Sequence, residues 1–271
     1  MAYDKVIDSA ELDADLTAVA DAIRTKGGTS EALSFPDGFV SAVEGIQAGG
    51  GGDNLEMWNG ILSKTCTEIN LPGVTTISTV YRLFSQNSKL VSVYLPDLTF
   101  SDSQYMLANC SNLETLYTPL LTKVPAYALE NSTKIKSVRF PKASIIDNAI
   151  CRGCTALEYA DFGNADHNQS VRFSQYAFQN CTSFKVLVIR SNAVWTLYNV
   201  TVFANSPFAE GNTGGVLLVP STRVNEYAEA TNWSVLYGYG TNRFLPLEEY
   251  TVDGTTSGEI DWDKVNALFE E

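Results

Sequence analysis

An apolar pattern that recurs about every 22 residues limits what this chain can fold into more than any other feature of its sequence. In the first clear copy, apolar residues lie at positions 0, +6, +9 and +11 and a proline lies at +12: Phe84, Leu90, Val93, Leu95 and Pro96. Further copies begin at Leu107, Leu129, Cys151 and Phe178, so the steps are 23, 22, 22 and 27 residues. The last step holds a five-residue insertion around residues 164–169. A period of this length predicts stacked repeats.

Stacking gives the pattern a physical cause. Each unit carries an apolar strip that it cannot bury alone, and its two neighbours bury that strip at a strand spacing of ~4.8 Å. Side chains at +8 and +10 point outward because side chains alternate along a strand, and the proline at +12 ends the strand because it has no N–H to donate. Two partial units flank the five, at Ile69, Leu71 and Pro72 and at Leu217, Val219 and Pro220. The sequence therefore predicts a mostly β solenoid of about seven rungs.

These units resemble the BspA-type leucine-rich repeats, whose consensus is roughly a-F-x-x-C-x-x-L-x-x-I-x-L-P. The best copies are AFQNCTSFKVLVI, MLANCSNLETLYTP and ALENSTKIKSVRFP, which begin at Ala177, Met106 and Ala128. The resemblance covers roughly Leu55 to Leu247, and it is specific for fold and weak for activity. It implies a leucine-rich-repeat solenoid, and we expect a binding or assembly protein rather than an enzyme.

Two further segments resemble proteins encoded by phages and prophages. The segment from Leu16 to Ile46 is similar to the short helical module that precedes a glycine linker in phage tail or other minor structural proteins. The segment from Gly214 to Leu236, with Phe244 to Tyr250 after it, is similar to the closing part of phage-borne repeat proteins. This resemblance implies a virion component.

The N-terminal region is predicted to form two short amphipathic helices. Their apolar faces would hold residues at helical spacing, namely Leu12, Leu16, Val19 and Ile23 in the first and Phe39, Val43 and Ile46 in the second. Because so small a module cannot bury these faces alone, we expect it to dock on another virion protein or on further copies of the chain. Packing on the chain's own solenoid is the alternative, against which the flexible linker Gly49–Gly52 argues.

The sequence predicts four segments along the chain. The predicted boundaries are a helical docking module at 1–48, a linker at 49–54, the solenoid with a C-terminal cap at 55–247 and an acidic tail at 248–271. Val224 and Tyr227 indicate a capping helix, which an open solenoid end requires. In the tail, Asp261 is placed to cap a short helix with three apolar residues on one side, Val265, Leu268 and Phe269. A docking element and a frayed terminus are both consistent with this tail.

The charge balance excludes some classes of partner. The chain has 31 acidic and 18 basic residues and a net charge of −13, which argues against nucleic-acid binding and against docking on anionic lipid. No segment approaches the ~20 apolar residues that span a bilayer, and the first residues lack the basic and apolar regions of a secretory signal. We therefore expect assembly in the cytoplasm of a bacterial host.

The five cysteines are predicted to be free thiols, because their number is odd and no secretory signal is recognised. Cys151 and Cys154 have the spacing of half a zinc site or of a redox pair. The repeat frame instead places both in core columns, Cys154 at +3 with Cys110 and Cys181. No second Cys-x-x-Cys and no histidine pair completes a metal site, so we expect no metal and no cofactor.

The sequence contains few candidate catalytic residues. His167 is the single histidine, lies in the insertion, and has no nucleophile at a motif spacing. Asp261 and Asp263 lack the later ligands of a calcium loop. Three asparagines at one repeat position, Asn109, Asn131 and Asn180, are interpreted as turn residues. A pair of carboxylates that meet in space on a β scaffold could still cleave glycans, and the sequence leaves that alternative open.

The outward strand columns are the predicted binding surface. They hold aromatic, charged and apolar residues at +8 and +10, from which we select Tyr94, Tyr117, Arg139, Tyr159, Asp161, Val186 and Val188. Tyrosine beside polar groups suits protein or sugar recognition, because the ring gives a large contact area at low entropic cost. The alternative is that these residues merely tolerate exposure.

Together these observations predict a phage tail-associated fibre or adhesin present in several copies. It would bind other virion proteins and a host surface protein or glycan. Three alternatives remain: a purely architectural collar, baseplate or head-decoration protein, a polysaccharide depolymerase, and a bacterial surface adhesin.

Overall fold

The chain divides into two compact units, Met1–Leu55 and Glu56–Glu271. The computed structural model describes residues 54–77, 81–163, 171–209, 214–238 and 243–270, nearly all of them in the second unit. This unit is strand-rich with few helices, as a repeat protein should be. None of the helices in these ranges has the length and hydropathy needed to cross a bilayer.

Fourteen strands are described, and they alternate between a longer and a shorter one from β1 to β12, after which two longer strands follow. In chain order they are β1 (Glu68–Asn70), β2 (Thr76–Ile77), β3 (Ser92–Tyr94), β4 (Phe100–Ser101), β5 (Thr115–Tyr117), β6 (Lys123–Val124), β7 (Ser137–Phe140), β8 (Ile145–Ile146), β9 (Tyr159–Phe162), β10 (Arg172–Phe173), β11 (Val186–Ile189), β12 (Thr196–Leu197), β13 (Val216–Val219) and β14 (Arg243–Pro246).

The longer strands form two open parallel sheets, ordered β1-β3-β5 and β7-β9-β11-β13-β14. Residues at +9 of successive units are register partners, as Val93 is with Leu116 and Ala160 is with Leu187. This register confirms the repeat frame. Phe244 pairs with Leu217, so β14 adds a strand at the end of the second sheet. The shorter strands pair in parallel as β2-β4, β6-β8 and β10-β12.

A third set of backbone hydrogen bonds joins the turns between strands. The N–H groups of Phe84, Leu107 and Leu129 each donate to a carbonyl of the following unit, at 3.0, 2.8 and 2.8 Å. These N–H groups belong to the first residue of each repeat, whose apolar side chain is fully buried in one continuous core. Neighbouring units therefore bury each other, as the spacing of these residues predicts.

Each of these turns contains left-handed backbone. Asn109, Asn131 and Asn180 have φ of 59°, 57° and 62°, which confirms their interpretation as turn residues. Asparagine tolerates this region because its short polar side chain forms local hydrogen bonds. At the equivalent position the unit that begins with Cys151 has Gly153, with φ of 75°.

The described residues include four α-helices and three 3-10 turns. The α-helices are α1 (Asn54–Ser63), α2 (Val224–Glu229), α3 (Trp233–Gly238) and α4 (Trp262–Ala267), and 3-10 turns lie at Val200–Phe203, Ser221–Arg223 and Leu247–Tyr250. Ile61 of α1 joins the core at the first strands. Tyr227 of α2 is fully buried and its hydroxyl accepts a hydrogen bond from the backbone N–H of Trp195 at 2.8 Å. The helix predicted after Pro220 is therefore present, at Val224–Glu229, and its role as a cap stays a prediction.

Candidate functional site

The outward face of the first three longer strands is open to solvent. Tyr94 on β3 and Tyr117 on β5 are register partners with ring centroids 6.4 Å apart, and they are 37% and 50% exposed. Glu68, Asn70 and Thr115 on the same face are also exposed. We call these five residues the tyrosine patch. Two adjacent rings with carboxylate, amide and hydroxyl groups around them can contact a protein or a sugar.

The expected exposure is wrong for four of the seven predicted surface residues. Tyr159, Asp161, Val186 and Val188 are at most 5% exposed. The C-terminal segment returns over the second sheet, where Tyr159, Val186 and Val188 form a second apolar cluster with Val216, Leu218, Leu247, Ile260 and Val265. Strand alternation does turn these side chains away from the first core, but a further layer then buries them. Arg139 keeps 49% of its side chain exposed and lies at the border of the covered part.

A buried ionic network fastens the C-terminal segment to the sheet. Asp161 accepts hydrogen bonds from Arg190 Nε at 2.8 Å and from the Tyr159 hydroxyl at 2.7 Å. The other end of Arg190 donates to the carbonyls of Thr256 and Gly258, both at 2.8 Å. Burial lowers the pKa of Arg190, but its hydrogen bonds and attraction to Asp161 outweigh this and raise it. Asp161, the one carboxylate among the predicted surface residues, is thus committed to a structural pair.

The C-terminal helix completes this cover. The Asp261 carboxylate accepts from the Lys264 N–H at 3.3 Å and caps α4, as predicted. Trp262 packs edge-on against Tyr159 with centroids 4.8 Å apart, and Val265 is fully buried. Of the two interpretations left open for the tail, the frayed terminus is wrong, because Ile260 and Val265 are buried in the cluster on the chain's own sheet. The docking interpretation stays a prediction.

Sequence reasoning missed a second aromatic surface, which we call the arginine–tyrosine ridge: Tyr81, Arg82, Tyr105, Tyr127 and Arg152. Tyr105 and Tyr127 stack with centroids 4.4 Å apart. The Arg82 guanidinium lies 5.0 Å from the centroids of Tyr81 and Tyr105, and Arg152 lies 5.7 Å from that of Tyr127. Arg82, Tyr105 and Tyr127 stand two residues before the start of their repeats. Alignment of the repeats could therefore have found them.

The repeats identify the family. A family model described as the BspA type leucine-rich repeat region matches in six copies over residues 62–158 and 120–212. These ranges together cover residues 62–212, more than half of the chain. The chain belongs to the BspA-type leucine-rich repeat family. Leucine-rich-repeat proteins of this kind are generally not enzymes. Comparisons with curated proteins and with solved structures gave no match.

Within the BspA-type repeats, the cysteines at +3 serve packing. Cys110, Cys154 and Cys181 are fully buried, and each thiol donates to a carbonyl of the preceding unit, at 3.3, 3.0 and 3.0 Å. Burial raises the pKa of Cys110 to about 11. The prediction of buried free thiols is confirmed for these three and for Cys151, while Cys66 is half-buried. In the described ranges, no group of three or more His, Cys, Asp or Glu side chains could hold a metal ion.

The predicted docking residues of the N-terminal module lie outside the residues that the structure describes. They are Leu12, Leu16, Val19, Ile23, Phe39, Val43 and Ile46. The glycine linker and His167 also lie outside them. The docking role of the module therefore stays a prediction from the sequence.

Proposed function

We propose that this chain is a phage virion protein, a tail-associated fibre or adhesin that presents its repeat surface to a host receptor or to a neighbouring subunit. The observation that carries the proposal is the tyrosine patch, an outward face of the first sheet that stays open, whereas the C-terminal segment covers part of the second sheet. Tyrosines are enriched at recognition surfaces because they supply rigid, amphipathic contact area. The resemblance of residues 16–46 and 214–250 to segments of phage proteins supports the virion context.

In this proposal the strands are successive rungs of a leucine-rich-repeat solenoid, about seven over residues 55–247. Residues 1–48 form the docking module, which attaches the chain to other virion proteins through the linker at 49–54. The chain has no enzymatic activity and acts as a homo-oligomer in the virion tail. Several copies strengthen attachment, because linked weak sites gain from a high effective concentration.

The recognition role is tested by the double variant Tyr94→Ala/Tyr117→Ala in assembled particles. Truncating two central aromatic residues of a contact surface costs affinity, so we expect adsorption to host cells to fall at least about tenfold, which corresponds to roughly 1.4 kcal/mol. The matched control is Tyr198→Ala, because Tyr198 is 49% exposed and lies outside the patch. Unchanged adsorption of the double variant, with particles of normal composition, would refute the recognition role.

Attachment to the particle is tested by deleting residues 1–48. We expect the truncated chain to fold, because the described core lies within residues 56–271, and to be missing from purified particles. If the double tyrosine variant adsorbs normally while the truncated chain is excluded, the chain is an architectural virion protein. Incorporation of the truncated chain at the normal copy number would contradict the docking role of this module.

A further inference from the structure

The C-terminal segment leaves a cleft beside α4. Its volume is about 230 Å³. Tyr159 and Val186 form the wall on the sheet, and Trp262, Val265 and Phe269 form the opposite wall. This volume is smaller than the roughly 300–1,000 Å³ of pockets that enclose drug-sized ligands. The cleft therefore has room for a single ring rather than for an extended molecule.

The rim of the cleft alternates in charge. Lys136, Glu158 and Lys185 occupy position +7 of three successive repeats, and all three are exposed and line the cleft. Lys185 Nζ lies 5.6 Å from the Phe269 centroid. Within the described residues, neither Lys136 nor Glu158 takes part in an ion pair, so their polar groups are available to a ligand. Ser137 and Asn266 add a hydroxyl and an amide.

Such a rim fits a neutral ligand that carries hydroxyl groups. Ammonium groups donate hydrogen bonds, a carboxylate accepts them, and an amide does both. A hydroxyl both donates and accepts, so neighbouring hydroxyls on one ring can satisfy an alternating set of this kind. A strongly charged ligand would meet a like charge at Glu158 or at the lysines, and like charges in contact are unfavourable.

The backbone around the cleft argues against a peptide ligand. β9 pairs with β7 and β11, and β11 pairs with β9 and β13. The two strands that carry Tyr159 and Val186 therefore offer no free edge to which a peptide could add as a further strand. β7, which contributes Ser137, is the last strand of this sheet, but it lies next to β5. Recognition in the cleft must come from side chains. Trp262 keeps 44% of its surface exposed and can pack against the apolar C–H face of a sugar ring.

We propose that the cleft beside α4 binds one ring of a neutral sugar, with the ring against Trp262 and its hydroxyls bonded to Lys136, Glu158 and Asn266. This site goes beyond the proposed adhesion role, because it lies apart from the tyrosine patch and uses the cover that the C-terminal segment provides. Its ligand class follows from the rim chemistry and the size of the cleft.

The test uses the purified full chain and the methyl glycosides of glucose, galactose, mannose and N-acetylglucosamine, with glucuronate as the charged comparison. Saturation-transfer NMR and quenching of tryptophan fluorescence measure binding. We expect at least one neutral glycoside to bind with a millimolar dissociation constant. Glu158→Ala should weaken it at least fivefold, since an exposed carboxylate can be removed without disturbing the core.

The matched control is Glu114→Ala. Glu114 occupies the same repeat position, +7, and is exposed, but it does not line the cleft. Binding that weakens equally in both variants, tighter binding of glucuronate than of every neutral glycoside, or no saturable binding up to 20 mM by any glycoside would each overturn the proposal. Because the assay needs neither particles nor host cells, its failure is distinguishable from failure of the adhesion role.

Discussion

Replacing Arg190 with methionine should release the C-terminal segment from the sheet. The Arg190 side chain is 5% exposed and Asp161 is 3% exposed. Arg190 contributes two short hydrogen bonds to Asp161, at 2.8 and 2.9 Å, and two to the carbonyls of Thr256 and Gly258. Methionine replaces the unbranched stem of the arginine side chain but is shorter and supplies none of these donors. The variant therefore leaves a buried carboxylate without its main partner and two carbonyls without donors.

Removing one partner of a buried ion pair costs about 3–5 kcal/mol. Asp161 keeps the Tyr159 hydroxyl and has Arg139 Nε 3.5 Å away, so the lower end of this range applies, about 3 kcal/mol. The segment opens locally rather than with the whole stack, because cooperative units of a protein can unfold separately. At 1.4 kcal/mol per factor of ten, 3 kcal/mol corresponds to roughly 100-fold more frequent opening.

Native-state hydrogen exchange measures this opening directly. We expect the protected amides of residues 251–270 to exchange roughly 100-fold faster in Arg190→Met, while amides of β3 and β5 keep their rates. Arg223→Met is the matched control, because Arg223 pairs with Glu226 at a more exposed site, where ion pairs contribute at most about 1 kcal/mol. The double variant Asp161→Asn/Arg190→Met should recover part of the loss, since the unpaired charge is gone. Less than threefold acceleration in Arg190→Met would refute the reasoning.

Two further predictions concern the repeat core. Phe178→Ala should lower the free energy of unfolding by about 3–5 kcal/mol, because Phe178 is fully buried and its ring centroid lies 4.6 Å from that of Phe184. Urea unfolding measures this loss. As the control, Tyr198→Ala should change the free energy of unfolding by no more than about 0.5 kcal/mol. Burial of Cys110 should make the protein less stable at alkaline pH. Its pKa rises from 9.0 to about 11 on folding, so the thiol loses its proton at a lower pH in the unfolded chain than in the folded one. The stabilisation from the buried thiol is present below pH 9 and is lost as the pH rises toward 11, by about 2.7 kcal/mol in total. The free energy of unfolding should therefore fall more steeply with pH in the wild type than in Cys110→Ala between pH 8.5 and 10.5. Equal slopes in the two proteins would contradict the assignment.

The sequence by itself determined the repeat architecture. The inward positions of each repeat can be recognised from the sequence, because each unit needs only its two neighbours to bury its apolar strip. They are the positions counted from Phe84, Leu107, Leu129 and Phe178. Periodic spacing thus records the contacts directly, and it also placed the thiols at +3 in the core and the asparagines in the turns. The exposure of Tyr94 and Tyr117 followed from strand alternation alone.

Only the tertiary structure decided which part of the outward face stays open. Tyr159, Asp161, Val186 and Val188 share the alternation of the open strands, and the apolar character of Val186 and Val188 does not tell which segment would cover them. Their burial depends on a non-repeating segment that joins Arg190 to carbonyls 66 and 68 residues further on. Contacts at such separations leave no periodic signal, because they form once between unlike elements. The same return of the chain creates the cleft beside α4, whose walls come from the sheet and from a helix that lies far apart from it in the sequence.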